Sequence, residues 1–82
     1  MTKQQKGWFE WKLTKLWEKS ERLESRIEKA EAEGNTEKAA KLDELNTRVC
    51  IEYSAFVDAV FCLGYIAKFD EILERVTVTK RR

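Results

Sequence analysis

The stretch from Tyr53 to Phe69 contains only two charged residues, Asp58 and Lys68, in a chain in which 38% of all residues are charged. A helix through this stretch would be apolar on nearly every face, and one neighbouring helix can cover only one stripe of it. The remaining apolar surface therefore needs a second cover from another chain, a third helix or a lipid surface. This requirement is the strongest indication of function in the sequence.

The composition predicts one all-α domain over residues 1–82. Proline is absent, glycine occurs three times, and 16 basic residues nearly balance 15 acidic ones. With helical periodicity, such a composition is typical of long helices, and a chain this short gains stability by association. The near-zero net charge gives no overall field that would attract nucleic acid.

A seam of apolar residues spaced by four and three predicts a first helix over about residues 5–33. Its members are Phe9, Leu13, Leu16, Ser20, Leu23, Ile27 and Ala30. A turn is predicted at residues 34–36, because Gly34 can adopt a left-handed conformation and Asn35 or Thr36 can cap the next helix. So short a turn makes the two helices antiparallel neighbours.

A second helix is predicted over about residues 36–76, with a seam of the same spacing that includes Asn46 and Tyr53. This helix either continues through Gly64 or bends there to give a short third helix. Residues 77–82 are predicted to form a frayed basic tail or a short extended arm. The expected fold is a long antiparallel helical hairpin that assembles into an oligomeric helical bundle.

Two polar residues interrupt the seams, Ser20 in the first helix and Asn46 in the second. A single buried polar residue commonly fixes the register or the oligomeric state of packed helices, and we expect that role for both. The hydroxyl of Tyr53 is expected to contact a polar neighbour such as Ser20.

The open end of this hairpin, far from the turn, is the candidate interface. Aromatic residues lie off the seams there, and Asp58 is placed opposite the seam of its helix. One interpretation is the core of a homo-oligomer, either a dimer or a tetramer, and another is a surface for a different protein, since Trp and Tyr are enriched at binding hot spots. The predicted interface residues are Trp8, Trp11, Trp17, Phe56, Asp58, Phe61, Tyr65 and Phe69.

Asp58 has two interpretations of its own. As a structural residue, it lies at the rim or pairs with a basic residue such as Lys12, Lys15 or Arg48 across an oligomer interface. As a functional residue, it contacts a basic group on a partner. A buried carboxylate without a partner would be costly.

Motifs of known chemistry are absent from the sequence, which has no histidine, no CxxC motif and only dispersed glycines. We therefore expect no enzymatic activity, no cofactor and no metal site. Cys50 and Cys62 are twelve residues apart on one predicted helix, about 18 Å at helical rise, so they cannot pair within it. Free thiols and the lack of a signal peptide or transmembrane segment favour the cytoplasm.

The predicted function is a non-enzymatic module that binds another macromolecule as a small adaptor, regulator or inhibitor. Small cofactor-free proteins of this kind are common among phage and mobile-element products that block a host enzyme or defence complex. The alternative is a nucleic-acid accessory protein that uses the Lys/Arg stripe of helix 1, from Lys12 to Lys29, and the basic tail Lys80–Arg82. The lysine- and tryptophan-rich segment Lys3–Lys19 also has features of an interfacial membrane helix, although Glu10 and Glu18 interrupt it.

Overall fold

The computed structural model describes residues 1–81 and contains two long helices followed by a two-stranded antiparallel sheet. Helix α1 spans Lys3–Ala32, helix α2 spans Thr36–Cys62, strand β1 spans Tyr65–Asp70 and strand β2 spans Arg75–Lys80. The predicted antiparallel helical hairpin is confirmed. The all-α class is wrong, because the C-terminal segment forms a β-hairpin and the fold is α+β.

The turn between the helices forms where the sequence predicts it. Gly34 adopts a φ of 74°, and its N–H donates to the carbonyl of Glu31 at 3.0 Å while that of Asn35 donates to the carbonyl of Ala30 at 2.9 Å. This pair of bonds is a Schellman motif. The side chain of Asn35 then accepts the N–H of Lys38 at 3.1 Å and so caps α2.

Helix α2 ends at Cys62, so the predicted helix to residue 76 and the predicted third helix after Gly64 are both wrong. Gly64 has a φ of 89°, a left-handed conformation that ends the helix. Phe69 and Val76, seven residues apart, face each other across the two strands. A separation of seven residues also fits two turns of a helix, which is why the sequence alone favours a helix here.

The connection between the strands is held by Asp70, whose carboxylate accepts the N–H groups of Ile72 at 2.9 Å and Leu73 at 3.0 Å. Asp commonly bonds the backbone of a turn in this way. The side chain of Ile72 is 93% exposed and belongs to no helical seam. Residues 77–80 of the predicted basic tail belong to β2, which agrees with the predicted extended arm. Arg82 lies outside the described residues.

The core consists of two clusters. One lies between the helices toward the turn and contains Leu16, Leu23, Leu42 and Val49. The other lies where the sheet packs on the open end and contains Leu13, Val60, Val76 and Val78, all 0% exposed. The β-hairpin therefore supplies, within the chain, part of the second cover that the apolar stretch requires.

The polar residues of the seams meet each other. The hydroxyl of Ser20 donates to Oδ1 of Asn46 at 2.7 Å, which satisfies both groups between the helices. The expected hydrogen bond between Tyr53 and Ser20 is not found among residues 1–81. No helix in the described part of the chain has the length and hydrophobicity needed to cross a membrane.

Candidate functional site

The two outer edges of the β-hairpin have different surroundings. On β2, the N–H of Val76 donates to the hydroxyl of Thr14 at 2.9 Å and the N–H of Val78 donates to the carboxylate of Glu10 at 2.8 Å. Both acceptors lie on α1. The outer edge of β2 is therefore covered at Val76 and Val78 by helix side chains that satisfy these two backbone donors.

The outer edge of β1 is open. Because Val76 and Val78 direct their N–H groups outward, their cross-strand partners Phe69 and Ala67 are in non-hydrogen-bonded pairs and also direct N–H and C=O outward. Tyr65, two residues before Ala67 in the same strand, also directs its N–H and C=O outward. Within residues 1–81, the amides of Tyr65, Ala67 and Phe69 donate no hydrogen bond to backbone or side chain, so this edge can pair with another strand.

An exposed face of α2 lies opposite α1, and we call it the α2 outer stripe. Its members recur at intervals of three and four residues and are all exposed: Cys50, Ile51, Ser54, Ala55, Asp58, Phe61 and Cys62. Ile51 is 65% exposed and Phe61 50% exposed. Asp58 is the only charged member, so the stripe lacks the charges that normally cover a solvent-facing helix.

Phe61 lies where the α2 outer stripe meets the start of β1. The guanidinium carbon of Arg81 is 4.2 Å from the centre of the Phe61 ring, close enough for a cation–π interaction. The N–H of Arg81 also donates to the carbonyl of Gly64 at 2.8 Å. The stripe and the open strand edge are therefore neighbouring parts of one surface.

At the other end of β1, this surface reaches a groove of about 420 Å³ between the helices, whose lining includes Leu16, Trp17, Tyr53 and Ser54. Trp17 stacks on Phe69 with ring centres 4.5 Å apart. Its Nε1 is buried and has no hydrogen-bond partner within the described chain. Burial raises the pKa of the Tyr53 hydroxyl above its ordinary value, because the ionised form would lose solvation.

The predicted interface residues separate into two groups. Four of them pack against the core cluster beneath the sheet or beside it and are partly buried: Trp17, Phe56, Tyr65 and Phe69. The other four are exposed: Trp8, Trp11, Asp58 and Phe61. The structure thus uses half of the predicted set in packing around this core cluster.

The exposed four do not form one patch. Trp8 lies against Phe56, with ring centres 5.7 Å apart, while Trp11 lines a separate groove with Arg75. Only Asp58 and Phe61 belong to the α2 outer stripe. Assembly into an oligomer through these residues stays a prediction.

Sequence reasoning missed the residues that attach β2 to α1. The sequence shows Glu10 only as an acidic interruption of the segment Lys3–Lys19 and predicts no role for Thr14, yet their oxygens are the acceptors for the β2 edge. The alternation of valine and threonine in β2 was the available signal, since β-branched residues with period two favour a strand.

Some basic residues of the nucleic-acid alternative are engaged within the chain. Lys12 pairs with Glu52 at 3.4 Å, and Arg81 lies on Phe61. The alternative stays a prediction. Among residues 1–81, no group of three or more His, Cys, Asp or Glu side chains is arranged to hold a metal ion, and Cys50 and Cys62 are free and exposed.

The fold and this surface define a small α+β chain with an unpaired strand edge beside a helix face in which only Asp58 is charged. Comparison with protein-family models, curated proteins and solved structures finds no match.

Proposed function

We propose that this chain is a non-enzymatic protein-interaction module and that it binds another protein through the α2 outer stripe and the neighbouring edge of β1. Roles as an adaptor, a regulator or an inhibitor are all compatible with this activity. The observation that supports the proposal most strongly is the exposure of the stripe, in which only Asp58 is charged.

The physical reason is that contiguous apolar surface is costly in water and marks interaction sites in soluble proteins. Ile51 and Phe61 supply large apolar side chains, and Ser54 and Ala55 between them are small, so a partner can approach the helix closely. An open depression of about 480 Å³ already follows this face, lined by residues that include Ile51, Ser54, Ala55 and Asp58. Interfaces likewise have apolar centres with few charges.

The test is site-specific photo-crosslinking in cells that express the chain. A photoreactive residue placed at Ile51 is expected to give discrete covalent adducts with a protein, identified by mass spectrometry. The matched control is the same residue at Ala40, which is also exposed and lies at the same angular position of α2 as Asp58, five helical turns earlier. Equal adduct yields at the two positions would contradict the proposal.

A further inference from the structure

We propose that the partner contributes an extended peptide segment that adds to the sheet as a third strand along the outer edge of β1. This inference rests on the proposed function, because it specifies the kind of partner segment that the same surface takes. Addition of a strand to an open sheet edge is a recurring mode of peptide recognition.

The spacing of the free backbone groups on β1 favours an extended segment. Tyr65, Ala67 and Phe69 are alternate residues of one strand, so their outward N–H and C=O groups repeat about every 7 Å. An extended backbone has the same repeat and can exchange two hydrogen bonds with each of the three residues in an antiparallel arrangement. Side chains of a helical partner cannot match this repeat.

The helix layer is wider than the sheet layer, which leaves space beside β1. Packed helices lie 8–10 Å apart, whereas paired strands lie about 4.8 Å apart, so two helices extend beyond a two-stranded sheet on both sides. On the β2 side, Glu10 and Thr14 occupy the extra width and bond to the strand. On the β1 side, no helix side chain within residues 1–81 bonds to the outward amides, so the extra width there is open to one more strand.

The same widths argue against a second copy of this chain as the occupant. If two β1 edges paired, the strands would be one strand spacing apart, yet each would carry its own α2 in the layer below. Two helices need about 8–10 Å between their axes, which one strand spacing does not provide. A segment without a helical layer of its own meets no such obstacle.

The residues that surround the open edge indicate the chemistry of the segment. One face of an added strand would lie over the α2 outer stripe, which favours apolar residues at alternate positions. Near Phe69, which stacks on Trp17, the groove of about 420 Å³ has space for a large apolar side chain of the segment. Asp58 is exposed and forms no ion pair within residues 1–81, so it favours a lysine or arginine in the segment.

The chain itself provides a suitable probe, a capped peptide with the sequence of β2, Arg-Val-Thr-Val-Thr-Lys. It alternates apolar and polar residues and has basic ends. In a nuclear magnetic resonance titration of the full chain, we expect a Kd below about 1 mM and, with about 5 mM peptide, at least fivefold slower hydrogen exchange at Tyr65, Ala67 and Phe69. The control peptide Arg-Pro-Thr-Pro-Thr-Lys has the same charge and two fewer backbone donors, and it is expected not to bind. Absence of any change with the first peptide at about 5 mM would overturn the proposal.

Variants of the chain locate the site. Ala67→Pro removes one outward N–H without removing a bond of the hairpin, and we expect at least tenfold weaker peptide binding. The control Ile66→Thr changes an exposed neighbour whose N–H lies in the ladder to β2, and it is expected to bind within threefold of the original. Asp58 lies outside the core, so Asp58→Lys tests the site independently if the proline variant fails to fold. We expect Asp58→Lys also to weaken peptide binding at least tenfold. Unchanged affinity in a folded Ala67→Pro or in Asp58→Lys would contradict the proposal.

The outcomes separate this inference from the proposed function. Adducts at Ile51 in cells without peptide binding would overturn strand addition and support the proposed function. Peptide binding without adducts would support the strand site and contradict the proposed function. A concentration-dependent dimer that Ala67→Pro abolishes would assign the edge to a second copy and overturn the peptide segment as its occupant.

Discussion

The half of the molecule near the turn and the half near the sheet are built from the same two helices but are stabilised differently. Near the turn, α1 and α2 bury one seam against each other, around Leu23 and Leu42. At the open end, the same helices bury a second side beneath Val76 and Val78. A helix pair is therefore sufficient where one face of each helix is apolar, and a second layer, the sheet, is needed where the apolar surface is wider.

The largest expected effect is the loss of the sheet layer. A chain truncated after Leu63 lacks both strands and exposes Leu13 and Val60, which are 0% exposed in the complete chain. The burial of Val76 and Val78 alone is worth about 3–6 kcal/mol, comparable to the whole stability of a small domain. We expect the truncated chain to show no cooperative unfolding transition in urea, as measured by far-UV circular dichroism. A chain that lacks only residues 81–82 is the control, and an unchanged midpoint after removal of the strands would contradict this account.

Alanine substitutions compare the two halves directly. Leu13 is 0% exposed at the junction of three elements, whereas Leu42 is 9% exposed between the two helices. We expect Leu13→Ala to lower the free energy of unfolding by about 3–5 kcal/mol and Leu42→Ala by about 2–3 kcal/mol. Urea denaturation of both variants measures the difference, and a larger loss for Leu42→Ala would reverse the comparison.

The covered edge of β2 can be tested with a matched pair of threonines. Thr14→Val leaves the N–H of Val76 without its acceptor, which should cost about 1–3 kcal/mol of unfolding free energy. Thr47→Val is the control, because Thr14 and Thr47 both donate to the carbonyl four residues earlier, but only Thr14 also accepts from a strand. Equal losses in the two variants would show that the contact to the strand contributes nothing.

A smaller effect is expected in the seam near the turn. Ser20→Ala leaves Oδ1 of Asn46 without the hydroxyl that donates to it and should cost about 1 kcal/mol. In the double variant Ser20→Ala/Asn46→Leu both groups are apolar, and we expect most of this loss to be recovered. If the double variant is as unstable as the sum of both single variants, the two residues do not act as a pair.

The smallest effect concerns pH. Burial raises the pKa of Tyr53 above its ordinary value of 10.0, so the folded state holds this proton more tightly than the unfolded state does. The corresponding stability is complete below pH 10 and decreases as the pH rises through the folded-state pKa. Urea midpoints measured at increasing alkaline pH should therefore fall less in Tyr53→Phe than in the original chain. Identical pH dependence of the two would contradict the assignment to Tyr53.

The sequence predicts the half near the turn well because its signals are local. Gly34, Asn35 and the seam of α1 each specify their conformation through neighbours three or four residues away. The sheet half was mispredicted because the separation of Phe69 and Val76 fits two helical turns as well as a hairpin. What decides between them is the left-handed Gly64 and the burial of Val76 and Val78 against α1, more than sixty residues distant in sequence.

The candidate surface was predicted only in part for the same reason. Asp58 and Phe61 were identified because an apolar stretch exceeds what one helix can cover, and this argument needs no tertiary structure. The open edge of β1 could not be identified, since it depends on which strand α1 covers. That choice is made by the acceptors Glu10 and Thr14.

The most direct test of the central claim, that a β-hairpin with one covered and one open edge completes the open end, is amide hydrogen exchange of the free chain by nuclear magnetic resonance. We expect Val76 and Val78 to be protected through α1, and Ile66 and Lys68 to be protected through the ladder between the strands. The amides of Tyr65, Ala67 and Phe69, which alternate with these protected residues along β1, should exchange rapidly. Uniform protection from residue 64 to residue 76, with the contacts of a continuous helix, would contradict the account.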